Sequence, residues 1–123
     1  MQALHIKGST DIPVVQFNNQ TGNLFMGGTS LPENVLEFYN PIISWLEDYK
    51  VNSNQTTHAE FSFEYLNTAS TNMMAKIIMS LIDIEVKTNL SITWYYMPGD
   101  YDMKELGADL LEGTGCNYTI VEL

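Results

Sequence analysis

The chain has 123 residues, 45% of them hydrophobic, and its 15 acidic residues against five lysines, with no arginine, give a formal net charge of −10. This length suits one compact domain over residues 1–123, and the negative charge argues against binding of a nucleic-acid backbone. No apolar run reaches the length of a membrane span, and residues 1–10 lack a basic segment followed by an apolar one, so we expect a cytoplasmic protein with no membrane insertion. The single cysteine, Cys116, excludes an internal disulfide and has no metal-ligand spacing around it.

The first third of the chain predicts strands and then a helix. Residues 3–7, 13–18 and 23–26 favour β-structure and are separated by turn signals, which predicts one strand followed by a hairpin. Apolar residues then recur at spacings of three and four from Leu36 to Tyr49, which predicts an amphipathic helix ending near Lys50. Pro41 leaves its start open: either Asn40 caps a helix that begins at Pro41, or a shorter turn from Pro32 joins it through a kink.

The remainder alternates between strand and helix patterns. Residues 51–57 form a polar loop, residues 59–65 alternate as a strand does, and helical spacing of Met, Ile and Leu runs from Thr68 to about Lys87. A further strand over residues 90–97, a helix over 101–111 and a last strand over 116–121 follow. This order predicts an α/β fold, a mixed β-sheet with parallel neighbours and helices packed against it.

The junction over residues 64–71 is the most informative segment for function. A buried strand there delivers three hydroxyl residues, Thr68, Ser70 and Thr71, to the beginning of the longest helix. Asn67 or Thr68 is a natural N-cap, because a side-chain oxygen can accept a free amide hydrogen of the first turn. The same amides and the positive end of the helix dipole would stabilise a phosphate on Thr68. A capping role and a phosphorylation site are compatible.

Three segments carry a family resemblance over nearly the whole chain. They are Gly-Thr-Ser-Leu-Pro-Glu-Asn at 28–34, Tyr-Leu-Asn-Thr-Ala-Ser at 65–70 and Ile-Thr-Trp-Tyr-Tyr at 92–96. In their order and spacing the chain resembles the SiaC-type regulatory phosphoproteins of bacteria, whose fold is similar to the STAS domains of anti-sigma-factor antagonists.

The resemblance implies a signalling switch. A threonine at the strand-to-helix junction, by position Thr68, would be phosphorylated by a dedicated Ser/Thr protein kinase and dephosphorylated by a PP2C-type phosphatase. The unphosphorylated form would bind and activate an output partner, a diguanylate cyclase in the best-understood systems, and so promote cyclic di-GMP synthesis and biofilm formation. Phosphorylation would release that partner.

The neighbours of Thr68 are the other candidate site residues. Asn67, Ala69 and Ser70 adjoin it, and Ala69 stands where a serine is common in the family, which leaves Thr68 and Ser70 as the local acceptors. Thr68 matches the family position better. Glu33 and Asn34 have two interpretations: a capping box formed by Ser30 and Glu33 around Pro32, or a surface beside the phosphorylation site that contacts the kinase or the output partner.

Two rival classes remain. An enzyme could use His5, His58 and the carboxylates, but no pattern arranges them as catalytic or metal-binding groups. The acidic residues of 100–109 lack the glycine and terminal glutamate of a calcium loop and predict a solvated helix face. A constitutive interaction module that is never phosphorylated is compatible with the composition. We expect a non-enzymatic protein without cofactor or metal.

Overall fold

Six strands form one mixed sheet in chain order. The computed structural model describes all 123 residues. The antiparallel part comprises β1 (Leu4–Ile6), β2 (Val14–Asn18) and β3 (Asn23–Ser30), and the strands β4 (Thr56–Leu66), β5 (Asn89–Tyr96) and β6 (Asn117–Glu122) then add in parallel. The predicted α/β class with a mixed sheet is confirmed.

Three helices connect the parallel strands and cover one face of the sheet. They are α1 (Val35–Val51), α2 (Thr68–Ile84) and α3 (Tyr101–Leu111). Right-handed crossovers between neighbouring parallel strands place all connecting helices on the same side. The predicted apolar stripe of α2 is buried in the core between helices and sheet, namely Met73, Met74, Ile77, Ile78, Leu81 and Ile84. The opposite face of the sheet carries no helix.

The start of α1 differs from both sequence-based alternatives. The helix is continuous from Val35 to Val51, and Asn34 is its N-cap, with Oδ1 accepting a hydrogen bond from the Glu37 amide at 3.1 Å. Pro41 lies inside the helix and is exposed. A proline in a helix deprives the carbonyl four residues earlier of its donor. On the solvent side water can bond that carbonyl, so the helix continues through Pro41.

Strand β3 continues four residues beyond its predicted end because it pairs with β4 as well as β2. Its second half contains Gly27 and Gly28, residues that weaken a strand pattern in a sequence. A side chain at Gly27 would bring Cβ to within 2.6 Å of the Ser62 carbonyl oxygen, and Gly28 has a φ of +104°. The register against β4 shifts between Gly28 and Thr29. This irregularity leads into Ser30, which is fully buried.

Two smaller expectations concern the last strand and membrane insertion. The last strand begins at Asn117, one residue after its predicted start, and Cys116 is buried beside it. None of the three helices combines the length and the apolar character needed to cross a membrane.

Candidate functional site

Thr68 is the first residue of α2 and is exposed to solvent. Strand β4 ends at Leu66, so a single residue, Asn67, separates strand from helix. Asn67 is the N-cap: its Oδ1 accepts a hydrogen bond from the Ser70 amide at 2.8 Å, and its carbonyl accepts one from Thr71 Oγ1 at 3.1 Å. Of the two predicted caps, Asn67 is therefore the correct one. This leaves the hydroxyl of Thr68 free at the start of the helix.

Ser70 lies only two residues further but is fully buried. Its hydroxyl oxygen is 2.8 Å from Ser30 Oγ and donates to the Ser30 carbonyl at 3.1 Å. Ser30 Oγ in turn lies 2.6 Å from the hydroxyl of the buried Tyr39. Burial raises the pKa of the Tyr39 phenol above its ordinary value, although the hydrogen bonds to Ser30 and Ser70 oppose the shift. The two local candidate acceptors thus differ in access: Thr68 faces solvent and Ser70 faces the core.

Ser30 also connects the beginnings of two helices. The Asn67 amide donates to the Ser30 carbonyl at 3.2 Å, so the end of β3 lies directly beside the start of α2. The predicted capping box of Ser30 and Glu33 is wrong, because Ser30 is committed to this buried cluster and Asn34 caps α1 instead. Glu33 and Asn34 are exposed in the short connection that follows Ser30.

We call the site's surroundings the helix-start edge: the ends of β3, β4 and β5 and the first turns of α1, α2 and α3. The three helices begin alike, with Asn34, Asn67 and Asp100 each accepting a hydrogen bond from the amide three residues later. Each N-cap partly satisfies the free amides of its first turn. Thr68 stands on the middle helix, because α2 packs against both α1 and α3.

Exposed apolar side chains are concentrated along this edge. Five of the 11 exposed large hydrophobic residues lie on it, namely Leu31, Leu36, Tyr65, Met97 and Tyr101, each between 41% and 67% exposed. Two shallow grooves lie on this edge, one beside the start of α1 and one between the end of β4 and the start of α3. One is lined by Ile12, Pro32, Glu33, Asn34, Glu37 and Phe38, and the other by Glu64, Tyr65, Leu66, Asp100, Asp102, Met103 and Leu106. The helix-start edge therefore combines exposed apolar side chains with exposed carboxylates.

Of the residues considered for catalysis, His58 lies in a network of polar side chains on the helix-free face of the sheet. His58 Nδ1 is 2.6 Å from Ser91 Oγ, and its Nε2 is 4.0 Å from Glu60 Oε1 on the helix-free face of the sheet. Tyr95 donates to Glu60 Oε2 at 2.8 Å, and this hydrogen bond is the main cause that raises the pKa of Tyr95. The structure contains no group of three His, Cys, Asp or Glu side chains that could hold a metal ion. Sequence reasoning missed this network because β4 and β5 must first be aligned in register.

Comparison with known proteins identifies the family. The model of the SiaC family of regulatory phosphoproteins matches residues 6–122, nearly the entire chain. The chain belongs to the SiaC family. A relative from Pseudomonas aeruginosa strain UCBPP-PA14, itself uncharacterised, is 28% identical to this SiaC-family protein over 98% of the chain and 96% of the relative.

Solved structures of P. aeruginosa SiaC have the same fold. Apo-SiaC is 29% identical to this SiaC-family protein with a TM-score of 0.87, and 98% of each chain is covered. A chain of the crystal structure of the diguanylate cyclase SiaD in complex with its activator SiaC is 28% identical with a TM-score of 0.90, covering 98% of this chain and 99% of that one. SiaC of P. aeruginosa therefore binds and activates the diguanylate cyclase SiaD.

Proposed function

We propose that this SiaC-family protein is a non-enzymatic switch that activates a diguanylate cyclase when Thr68 is unphosphorylated and releases it when Thr68 is phosphorylated. A Ser/Thr protein kinase would add the phosphate and a PP2C-type phosphatase would remove it. The switch would operate in the cytoplasm, as one domain over residues 1–123, without a cofactor. The observation that carries the proposal is the exposed Thr68 hydroxyl on an edge rich in exposed apolar side chains.

The helix-start edge is the proposed contact surface for the cyclase. Exposed apolar area at the centre of a surface is what a stable protein interface buries. Asn67 and Ala69 flank Thr68, and Ser70 holds the helix start in place from below. Glu33 and Asn34 would contact the partner from the groove beside the start of α1.

A phosphate at Thr68 would oppose this contact for an electrostatic reason. It adds a charge of about −1.5 to −2 at neutral pH, which a partner must desolvate if it covers the site. The chain has no arginine, so no guanidinium of its own can clamp the phosphate. Glu33 and Glu37 at the start of α1 and Glu64 at the end of β4 are exposed carboxylates of the same edge and would add repulsion. A loss of about 3 kcal/mol would weaken binding more than a hundredfold.

The test begins with the modification itself. The chain is co-expressed with its cognate kinase and its intact mass is measured, with Thr68→Ala and the nearby Thr71→Ala as a matched pair. We expect one phosphate on the wild type and on Thr71→Ala, and none on Thr68→Ala. Phosphate on Thr68→Ala would assign the site to another residue.

The second step measures the output. The unmodified and phosphorylated forms are titrated against the purified cyclase, and binding and cyclic di-GMP synthesis are recorded. We expect binding at least about a hundredfold weaker after phosphorylation. Equal affinity of both forms would instead support a constitutive interaction module. Turnover of a nucleotide or phosphoester by the chain alone would support the enzyme alternative.

A further inference from the structure

The outer edge of β6 has no role in the proposed function. The sheet has two edges, and they are unequal: β1 has three residues, whereas β6 has six, from Asn117 to Glu122. A strand at a sheet edge presents unpaired N–H and C=O groups that can pair with another chain. The longer edge is therefore the one able to accept a further strand.

The hydrogen bonding to β5 shows which backbone groups are free. The Leu123 amide donates to the Tyr96 carbonyl at 2.9 Å, so Leu123 points towards β5. The N–H and C=O groups of one strand residue point to the same side, and neighbouring residues alternate. Asn117, Thr119 and Val121 therefore also bond β5, and Tyr118, Ile120 and Glu122 direct their N–H and C=O groups away from the sheet.

Apart from the charged Glu122 near its end, β6 contains none of the usual protection of an edge. Natural edge strands are blocked by charged side chains, especially lysine, by proline, by a bulge or by short length. Strand β6 has neither lysine nor proline, pairs with β5 without a shift in register, and its centre is the β-favouring run Thr119, Ile120 and Val121. Tyr118 and Ile120 are half-buried against the core, and Val121 is 37% exposed. An added strand would cover all three side chains.

We propose that β6 pairs in antiparallel orientation with β6 of a second copy, about a two-fold axis at Ile120. In this register Ile120 lies opposite Ile120 of the second copy, and Tyr118 lies opposite Glu122. All three outward-facing residues then exchange backbone hydrogen bonds, about six across the interface for directly opposed pairs. A two-fold pairing is closed, so it removes the long edge and stops at two copies.

The side chains also fit a second copy. Glu122 is the only charged residue of β6, and in this register it faces a tyrosine and not the other Glu122. Thr119 lies opposite Val121 on the helix-free face, and both are β-branched residues that suit a strand. The net charge of −10 per chain repels a second copy at long range, but ordinary salt screens charges beyond about 8 Å. The dimer should therefore tighten with salt, whereas a complex with a basic partner strand would weaken.

The test uses the direction of the Glu122 amide. Glu122 is exposed and its N–H points outward, so Glu122→Pro removes no hydrogen bond of the monomer but removes two from the proposed interface. Glu122→Ala keeps the amide and is the matched control. The mass of each protein is followed by sedimentation over a wide range of concentration, with circular dichroism as the check of folding.

We expect a dimer of the wild type and of Glu122→Ala, and at least a tenfold weaker dimer of folded Glu122→Pro. A wild type that stays monomeric at the highest concentration, or a Glu122→Pro dimer as tight as the wild type, would overturn the inference. If the wild type is monomeric, the free edge of β6 would instead be available to a strand of another protein. The proposed function does not depend on this result, because Thr68 lies on a different strand connection.

Cross-linking tests the register. Thr119 and Val121 form a pair without mutual hydrogen bonds, whose Cβ atoms lie about 4.5–5.5 Å apart, close to disulfide distance. A mixture of Thr119→Cys and Val121→Cys proteins should form intermolecular disulfides at least ten times faster than either variant alone. Buried Cys116 remains in both proteins, so any cross-linking through it should be the same in the mixture and in each variant alone. Faster cross-linking of Thr119→Cys alone would contradict an axis at Ile120.

Discussion

Three buried hydroxyl groups hold the start of α2 against the rest of the molecule. Ser30 Oγ lies between the Tyr39 hydroxyl and Ser70 Oγ, so β3, α1 and α2 meet at one point. Every buried side-chain nitrogen and oxygen in the structure has a hydrogen-bond partner, and these hydroxyls satisfy one another. Polar groups that are buried and paired contribute modestly, but one left unpaired is costly. This cluster fixes Asn67, and with it the exposed position of Thr68.

Removing the Tyr39 hydroxyl should weaken the cluster. For Tyr39→Phe we expect a loss of about 1 kcal/mol in the free energy of unfolding, because one buried hydrogen bond disappears while Ser30 and Ser70 still bond each other. Urea denaturation measures this change. Tyr65→Phe, at a side chain that is 51% exposed, is the control and should change stability by less than about 0.5 kcal/mol. Equal effects of the two substitutions would contradict the role of the cluster.

The same tyrosine predicts a response to alkaline pH. Burial raises the pKa of Tyr39 in the folded protein above its ordinary value of about 10. The unfolded chain then ionises first, so this contribution to stability is complete below about pH 10 and is lost as pH rises towards the folded pKa. Stability above about pH 10 should fall less steeply in Tyr39→Phe than in the wild type, as measured by urea midpoints. Parallel curves would show that Tyr39 contributes nothing there.

At the scale of elements, α3 approaches the sheet through a glycine. Gly107 is buried against Trp94 of β5, and a Cβ at this position would collide with the indole ring. Trp94 is itself fully buried and donates from Nε1 to the Met103 carbonyl at 3.0 Å, so it has little freedom to move. The distance between α3 and β5 thus depends on the absence of a side chain at residue 107.

Gly107→Ala should therefore reverse the usual effect of such a substitution. Replacing glycine by alanine inside a helix commonly stabilises by about 0.5–1 kcal/mol. Here we expect a net destabilisation of about 1–3 kcal/mol, because the methyl group overpacks a rigid contact. Asp109→Ala on the exposed side of α3 is the control and should stay within about 0.5 kcal/mol of the wild type. A more stable Gly107→Ala in urea denaturation would show that Trp94 moves aside.

At the scale of the whole molecule, charge is unbalanced and nearly unpaired. The chain has 15 acidic residues and five lysines, and the only contact between potentially opposite charges within 4.0 Å is that of His58 with Glu60. No lysine pairs with a carboxylate at that distance. The folded state therefore carries repulsion that a salt solution can screen.

Salt should stabilise this protein against heat. Between about 20 mM and 200 mM sodium chloride we expect a gain on the order of 1 kcal/mol, or roughly 4 °C in Tm, because self-repulsion is reduced. Differential scanning calorimetry provides the measurement. The double variant Glu105→Gln, Asp109→Asn removes two exposed charges of α3 and should respond less. A Tm that falls with salt would mean that attractive charge pairs dominate.

Sequence periodicity predicted most elements because it is a local property. The alternation in β4 and the Met and Ile spacing of α2 follow from which side chains face the core, and both predictions are confirmed. The start of α1 and the end of β3 could not be predicted in the same way. Pro41 is tolerated because it faces solvent, and Gly27 and Gly28 extend a strand because β4 lies beside them.

The sequence by itself determined the order of strands and helices, the acidic character and the family, and it singled out residues 64–71 as the junction of interest. Only the tertiary structure decided that Thr68 is exposed while Ser70 is buried, and that Asn67 is the cap. The physical reason is that Ser70 is covered by Ser30 and Tyr39, which lie some 30 to 40 residues earlier in the chain. Periodicity describes one element at a time, and burial at a junction depends on what other elements bring against it.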